Sequence, residues 1–406
     1  MKKRIEIGAF VACICALVVA CSVGFSPSLT PDARVTKNHQ VAMPQFSPLG
    51  GTYSVAQDVS ISTTTTEGHP KIYFTADGSI PTESTGLLYT GPVNVASTLA
   101  LNAIAIKTGW TDSEVASAKY IFFTWQAFGS YGGGPNQFYF PNGVAVDTSG
   151  HIYIADTHNN RIVRMDDMIG TNWTTFGNTG SDTNQFAGPV AVTVDAGGHI
   201  YIADAPNGRI ARVDDMSGSN WTTCYGSGTN QFFWPSGVAV DTSKRIYIAD
   251  ASNNRIVRMD DMIGTNWTTF GSFGTGQNNF DTPIGVAVDA GRHIYIVDNS
   301  NRRLVRMDDM SGTNWTTFGS DGSRTNQFAL PTGIAVDASG HIVISDTSNG
   351  RIVRINDMTG SGWITFGSYG GGTDQFSSQH GVAVDANGRI YVADTVNHRI
   401  VRLTMR

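Results

Sequence analysis

The sequence predicts an all-β protein, a six-bladed β-propeller preceded by a small immunoglobulin-like β-sandwich, and three observations carry that prediction. The motif G-[VI]-A-V-D followed by I-[YV]-[IV]-x-D recurs along the chain, placing Asp147, Asp195, Asp241, Asp289, Asp337 and Asp385 at steps of 48, 46, 48, 48 and 48 residues. A fixed period in the forties, with four short apolar runs per unit, fits propeller blades rather than a helical array. Tryptophan strands follow at Trp173, Trp221, Trp267, Trp315 and Trp363, and a sixth, Trp125, precedes the first motif. The last unit ends at RIVRLTMR without its own tryptophan strand. The Trp125 strand is therefore expected to complete the last blade and remove two open sheet edges. Finally, residues 44–123 show short alternating strands broken by Asp77-Gly78 and Gly91-Pro92, a pattern of hairpins rather than helices.

From the N-terminus, MKKR and the fourteen-residue apolar run IGAFVACICALVVA form an export signal, with the mature chain expected to start at Cys21. The run is shorter than a comfortable membrane span. Val18-Val19-Ala20-Cys21 resembles the lipobox of bacterial lipoproteins, although leucine is favoured at its first position. That resemblance implies lipidation of Cys21, and Ser22 after it implies the outer membrane. The protein is thus expected in the bacterial cell envelope, lipid-anchored or else secreted. Residues 22–43 lack periodicity and read as a tether spanning roughly 25 Å.

The unit at 44–123 resembles the C-terminal domain of chitobiase and β-hexosaminidases. The matching pieces are PQFSPLGGTY, YFTADGSIPT, LYTGPVNV and AIAIKTGWTDS. In that family the domain is an accessory module, so the resemblance implies no glycosidase, though it suggests carbohydrate or envelope binding. At most one or two residues separate its last strand from the Trp125 strand, so it is expected at a fixed angle beside the sixth blade, forming a composite surface with the top of that blade.

The propeller at 124–406 resembles the NHL-repeat family, through NQF-x-x-P-x-G-V-A-V-D, I-Y-I-A-D and N-x-R-I-V-R, with Asn397-His398-Arg399-Ile400-Val401 nearest the element that names it. The family implies the fold and leaves the function open. Its propellers include protein- and RNA-binding platforms, and related rings include lyases.

Charge narrows this range. Residues 121–406 carry nineteen Lys+Arg against twenty-five Asp+Glu, with Lys244 the single lysine. A phosphate-binding surface needs the opposite surplus, so no nucleic-acid partner is expected. With Cys13 and Cys15 in the signal, Cys224 alone remains in the folded region; there is no disulfide framework, and Cys224 sits in a phenylalanine slot.

Recurring polar residues read as structure. Asp156, Asp204, Asp250, Asp298, Asp346 and Asp394 each precede an arginine by five residues, across a turn bearing Asn159 or its equivalents. They are expected to staple hairpins, with that Asn taking a left-handed backbone. The Asp-Asp-Met-x-Gly turns have too few oxygens for a calcium loop. His151, His199, His293 and His341, or Arg245 and Arg389, share a bottom hairpin.

Function is sought where the repeat breaks. The residue before each inner-strand glycine (alanine in blade two) is Asn142, Val190, Ser236, Ile284, Thr332 or His380, facing the top mouth of the channel. Asn142, Ser236, Thr332 and His380 are the candidate ligand contacts, and His380 is the one group there ionisable near neutrality. His158, His380 and His398, on adjacent blades, form a candidate three-ligand divalent-metal site; otherwise no cofactor is expected. The reading is a monomeric, membrane-tethered, non-enzymatic protein that binds an unidentified protein or carbohydrate ligand through the propeller top. The rivals are a metal-dependent lyase or lactone hydrolase in the channel mouth, and carbohydrate binding through the small domain.

Overall fold

The computed structural model describes residues 39–226 and 230–406. The export signal, Cys21 and most of the tether lie outside the described residues. Strands Pro141–Val146, Ile152–Asp156, Arg161–Met165 and Thr174–Phe176 pair antiparallel in chain order, inner to outer. Five further sheets repeat this arrangement, giving six blades around one axis. Each second strand is buried at all five positions, as in Ile152–Asp156 and Ile342–Asp346. A blade is covered on both faces by its neighbours, so this strand reads as a continuous apolar run rather than an alternation. The glycines of the inner strands answer to crowding at the axis. A Cβ on Gly381 would stand 2.6 Å from the Asn142 carbonyl oxygen, and one on Gly285 would stand 2.5 Å from that of Thr332.

The staples form in every blade. In the first, Arg161 Nε donates to Asp156 Oδ2 at 2.8 Å and its Nη2 to the Gln137 carbonyl at 2.9 Å. Asn159 donates its amide to the same carboxylate and to the Gly132 carbonyl. One expectation needs correction: the left-handed residue is not Asn159 but the one after it. Asn160, Gly208, Asn254, Arg302, Gly350 and His398 occupy that position in the six blades, with Asn160 at φ 53°. Asn159 is instead held by its two side-chain bonds. The bottom aspartates are consumed in turns: Asp147 accepts from the Ser149 and His151 N–H groups and meets His151 Nδ1 at 2.7 Å.

Closure uses one strand for two purposes. Ala116–Phe128 pairs with Leu99–Ile106 in the small domain and with Arg399–Met405 in the last blade, where Trp125 lies opposite Leu403. No linker separates the domains; the strand crosses the expected 123/124 boundary unbroken. The small domain packs two sheets over Phe46, Val59, Ile61, Phe74, Leu101, Tyr120 and Phe122. It rests on blade five as well as blade six. Thr52 Oγ1 donates to the Thr365 carbonyl at 2.6 Å, Ser54 bonds Asp374, and Thr98 Oγ1 reaches the Arg406 carbonyl at 2.7 Å. Phe123 enters opposite Met405 at the lower end and Phe128 leaves opposite Ile400 at the top. The small domain therefore hangs mainly below and outside these blades, with the Ser54 corner reaching a top-side loop, rather than flanking the mouth as expected.

Candidate functional site

Asn142, Val190, Ser236, Ile284, Thr332 and His380 line one cavity, with the following glycine (or Ala191) and aliphatic residue of each blade. The cavity measures about 90 Å³. A drug-sized ligand needs several hundred, so the channel admits a few waters or one small group. Two of the four predicted contacts are occupied in structure. Ser236 Oγ donates to the Ile284 carbonyl at 3.0 Å, and Thr332 Oγ1 lies 2.7 Å from Thr347 Oγ1 and 3.3 Å from the His380 carbonyl. These hydroxyls stitch neighbouring inner strands. Asn142 and His380 are the polar side chains left to face the lumen. His380 keeps some accessible surface because the channel is open, yet protein surrounds it on every side. Burial holds its imidazole down at about 4, so it is neutral near pH 7, contrary to the expectation of an ionisable group. Ser378 Oγ sits 3.4 Å from its Nε2.

Around this channel stands a second ring that the sequence did not single out. The residue two places before each channel residue has a left-handed backbone: Phe140 (φ 51°), Gly188 (71°), Trp234 (60°), Thr282 (55°), Leu330 (47°) and Ser378 (51°). Large apolar residues alternate with small ones around the ring. Trp234 and Leu330 are 47% and 41% exposed. Bulky side chains pay about 1–3 kcal/mol for such a backbone, and residues held there cluster at binding sites. The sequence signal was available: a bulky residue directly before Pro141, Pro235 and Pro331, at a turn where a small one would relieve crowding.

At the seam of blades six and one the rim thickens. The Phe140 ring lies 4.7 Å from both His158 and His398, Tyr139 lies 4.9 Å from His158, and the exposed Tyr131 lies 5.0 Å from His398. His158 and His398 are thus brought to one aromatic cluster, while His380 stays in the channel. Among the described residues no three His, Cys, Asp or Glu side chains converge to hold a metal ion. Burial lowers the His398 pKa, as does the neighbouring His158, against the pull of Asp156. Cys224 is buried, and burial raises its thiol pKa.

Comparison with known proteins agrees with this architecture. The chitobiase/β-hexosaminidase C-terminal domain model matches residues 48–117, and the NHL repeat model matches 138–165, 186–212, 232–259, 328–355 and 379–403. No curated protein matches the chain. Among solved structures, an auxiliary nutrient binding protein from Bacteroides thetaiotaomicron is 12% identical, covering 91% of this chain and 98% of its own, with a TM-score of 0.53. A protein of the same description from Bacteroides ovatus is 13% identical, covering 91% and 99%, at 0.52. A gluconolactonase from Xanthomonas campestris is 14% identical, covering 66% and 87%, at 0.52. At such identities the likeness shows the fold. The chain is therefore an NHL-repeat β-propeller protein that carries a chitobiase/β-hexosaminidase C-terminal-type domain before its six blades.

Proposed function

We propose that this is a membrane-tethered, extracytoplasmic binding protein that takes a protein or small ligand on the top face of its propeller. The observation that carries the reading is the rim, where Phe140, Trp234 and Leu330 stand in strained backbone around a channel too small to hold a ligand whole. Binding at an apolar rim, with one small group reaching Asn142 and neutral His380, matches how ligand sites combine apolar contact with few polar groups. The names of the two Bacteroides neighbours fit a binding role, while the gluconolactonase at an equal TM-score fits the lactone-hydrolase rival. The membrane tether rests on the Val18–Cys21 motif.

The test is a peptide and glycan array probed with the full-length protein and with the Phe140→Ala, Trp234→Ala, Leu330→Ala triple variant. Signals that vanish in the variant support the rim. Signals that persist unchanged would move the binding surface elsewhere.

A further inference from the structure

A second place where the repeat breaks lies at the junction of the two domains, in the outer half of blade five. In blades one to four an arginine of the third strand pairs with an aspartate two residues on: Arg164–Asp166 at 2.9 Å, Arg212–Asp214 at 2.7 Å, Arg258–Asp260 at 2.5 Å and Arg306–Asp308 at 2.9 Å. In those blades the other carboxylate oxygen accepts an asparagine amide, as from Asn172 to Asp166 at 2.6 Å. Blade six replaces the carboxylate with Gln126, whose Oε1 takes Arg402 Nη2 at 2.6 Å.

Blade five changes every partner at once. Asn356 stands for the aspartate, Gly362 for the asparagine, and Val343 for the tyrosine that neighbours the guanidinium in the other blades. The changes are coupled: a Cβ on residue 362 would lie 2.5 Å from the Asn356 amide, so that amide occupies the space over Gly362. Asp337, the nearby carboxylate, is engaged by His341 at 2.7 Å. Among the described residues Arg354 therefore has no ion pair or side-chain hydrogen bond, and burial lowers its pKa from the ordinary arginine value. The charge of Asp337 offsets only part of the cost of desolvating this cation, and a directly paired anion would offset more.

Arg354 also faces a space walled on its other side by the small domain. A cleft of about 600 Å³ opens between blade five and the small domain, lined by Leu49, Lys119, Ile121, Arg354, Trp363 and Ile364 among others. Its volume falls within the range of small-molecule sites. Leu49, 73% exposed, forms an apolar lip. Ile364 takes the place of a threonine in the other propeller-only blades, making the wall more apolar.

We propose that this inter-domain cleft binds a small organic carboxylate with an apolar body, whose carboxylate supplies Arg354 with the partner that Asp166, Asp214, Asp260 and Asp308 supply within their own blades. The vacated slot is that of a carboxylate, planar and suited to a guanidinium fork. Lys119 at the rim adds attraction, and the apolar walls take the body. The site is independent of the top face, being on the outer flank.

The test is calorimetric titration of the full-length protein with phenylacetate, with 2-phenylethanol as its uncharged counterpart and inorganic phosphate as a plain anion. Phenylacetate is expected to bind saturably, and the other two at least tenfold more weakly. Asn356→Asp restores the in-blade partner present in four other blades, so it is expected to keep the melting temperature while weakening phenylacetate at least tenfold. Arg354→Gln is expected to weaken it similarly. Absence of phenylacetate binding to the wild-type protein, equal binding of 2-phenylethanol or phosphate, or wild-type affinity in Asn356→Asp would each overturn the proposal.

Discussion

His398 Nδ1 accepts the backbone N–H of Phe140 at 3.2 Å across the seam where the last blade meets the first. Asn160 Oδ1 does the same for Gly188 at 2.7 Å, and Asn254 Oδ1 for Thr282 at 2.8 Å, each between consecutive blades. The histidine thus performs an asparagine's task in a left-handed position, with the added ring contacts of the Phe140 cluster. Accepting at Nδ1 requires the neutral ring with its proton on Nε2. His398→Asn is expected to leave thermal stability within about 0.5 kcal/mol, since asparagine bonds and tolerates φ > 0 equally well. His398→Ala is expected to cost about 1 kcal/mol by leaving the Phe140 N–H without its acceptor. Urea unfolding of the two variants distinguishes these outcomes; equal losses would show that ring packing, not the bond, is what matters.

The second prediction follows from His380, whose folded pKa of about 4 lies below its ordinary 6.5. Between these values the unfolded chain binds a proton that the folded one does not. The contribution is complete above pH 6.5 and is lost as pH falls toward 4, by roughly 3 kcal/mol at the acid end. His380→Asn is expected to remove that dependence, read as the difference between wild-type and variant unfolding free energies across pH 4–7. A difference independent of pH would refute the burial of a neutral imidazole.

Breaking one staple tests whether repetition makes it redundant. Arg303 Nε binds Asp298 at 2.8 Å and its Nη groups hold three carbonyls of the preceding loop, at Thr275, Gly276 and Asn279. Arg303→Ala leaves a fully buried carboxylate without its cation, at a cost of about 3–5 kcal/mol. Arg303→Met with Asp298→Asn is expected to recover part of that loss. Chemical denaturation of both variants provides the check.

The rim should show a stability–function conflict. Trp234→Gly and Leu330→Gly relieve a left-handed backbone while removing side chains that are only about half covered by protein. Each is expected to be neutral or to stabilise by up to about 1 kcal/mol, while array signals carried by the top face fall. Clear destabilisation would mean that these side chains are structural.

Cys21→Ser is expected to abolish metabolic lipid labelling and release the protein from membranes. Cys224 is buried and cannot take over. Continued partition with membranes after signal removal would exclude Cys21 as the anchor.

Repetition explains what could be read from the residues and what could not. The blade count, the Trp125 strand and the Asp–Arg staples follow from periodicity, because each residue type recurs where its bond is needed. The channel ring was legible as the position before each inner-strand glycine. That Ser236 and Thr332 are spent on neighbouring strands was not, because a hydroxyl's partner depends on how closely blades approach. The rim was missed because left-handed backbone is ordinarily sought at glycine or asparagine, and here tryptophan, leucine and phenylalanine adopt it. Arg354 was passed over as one more repeat arginine, since its singularity lies in three neighbours changed together, at Val343, Asn356 and Gly362, each of which alone reads as ordinary repeat variation.

The strand Ala116–Phe128 also sets a timetable for biosynthesis. Its propeller half finds its partner only when the last strand emerges, a separation of 276 residues at the Gln126–Arg402 contact. At about 5–20 residues per second, synthesis leaves that edge waiting roughly 14–55 s. By then the small domain, complete in sequence, can hold the waiting strand extended against Leu99–Ile106. Ring closure thus depends on the last strand docking onto an edge whose other side is paired with the small domain.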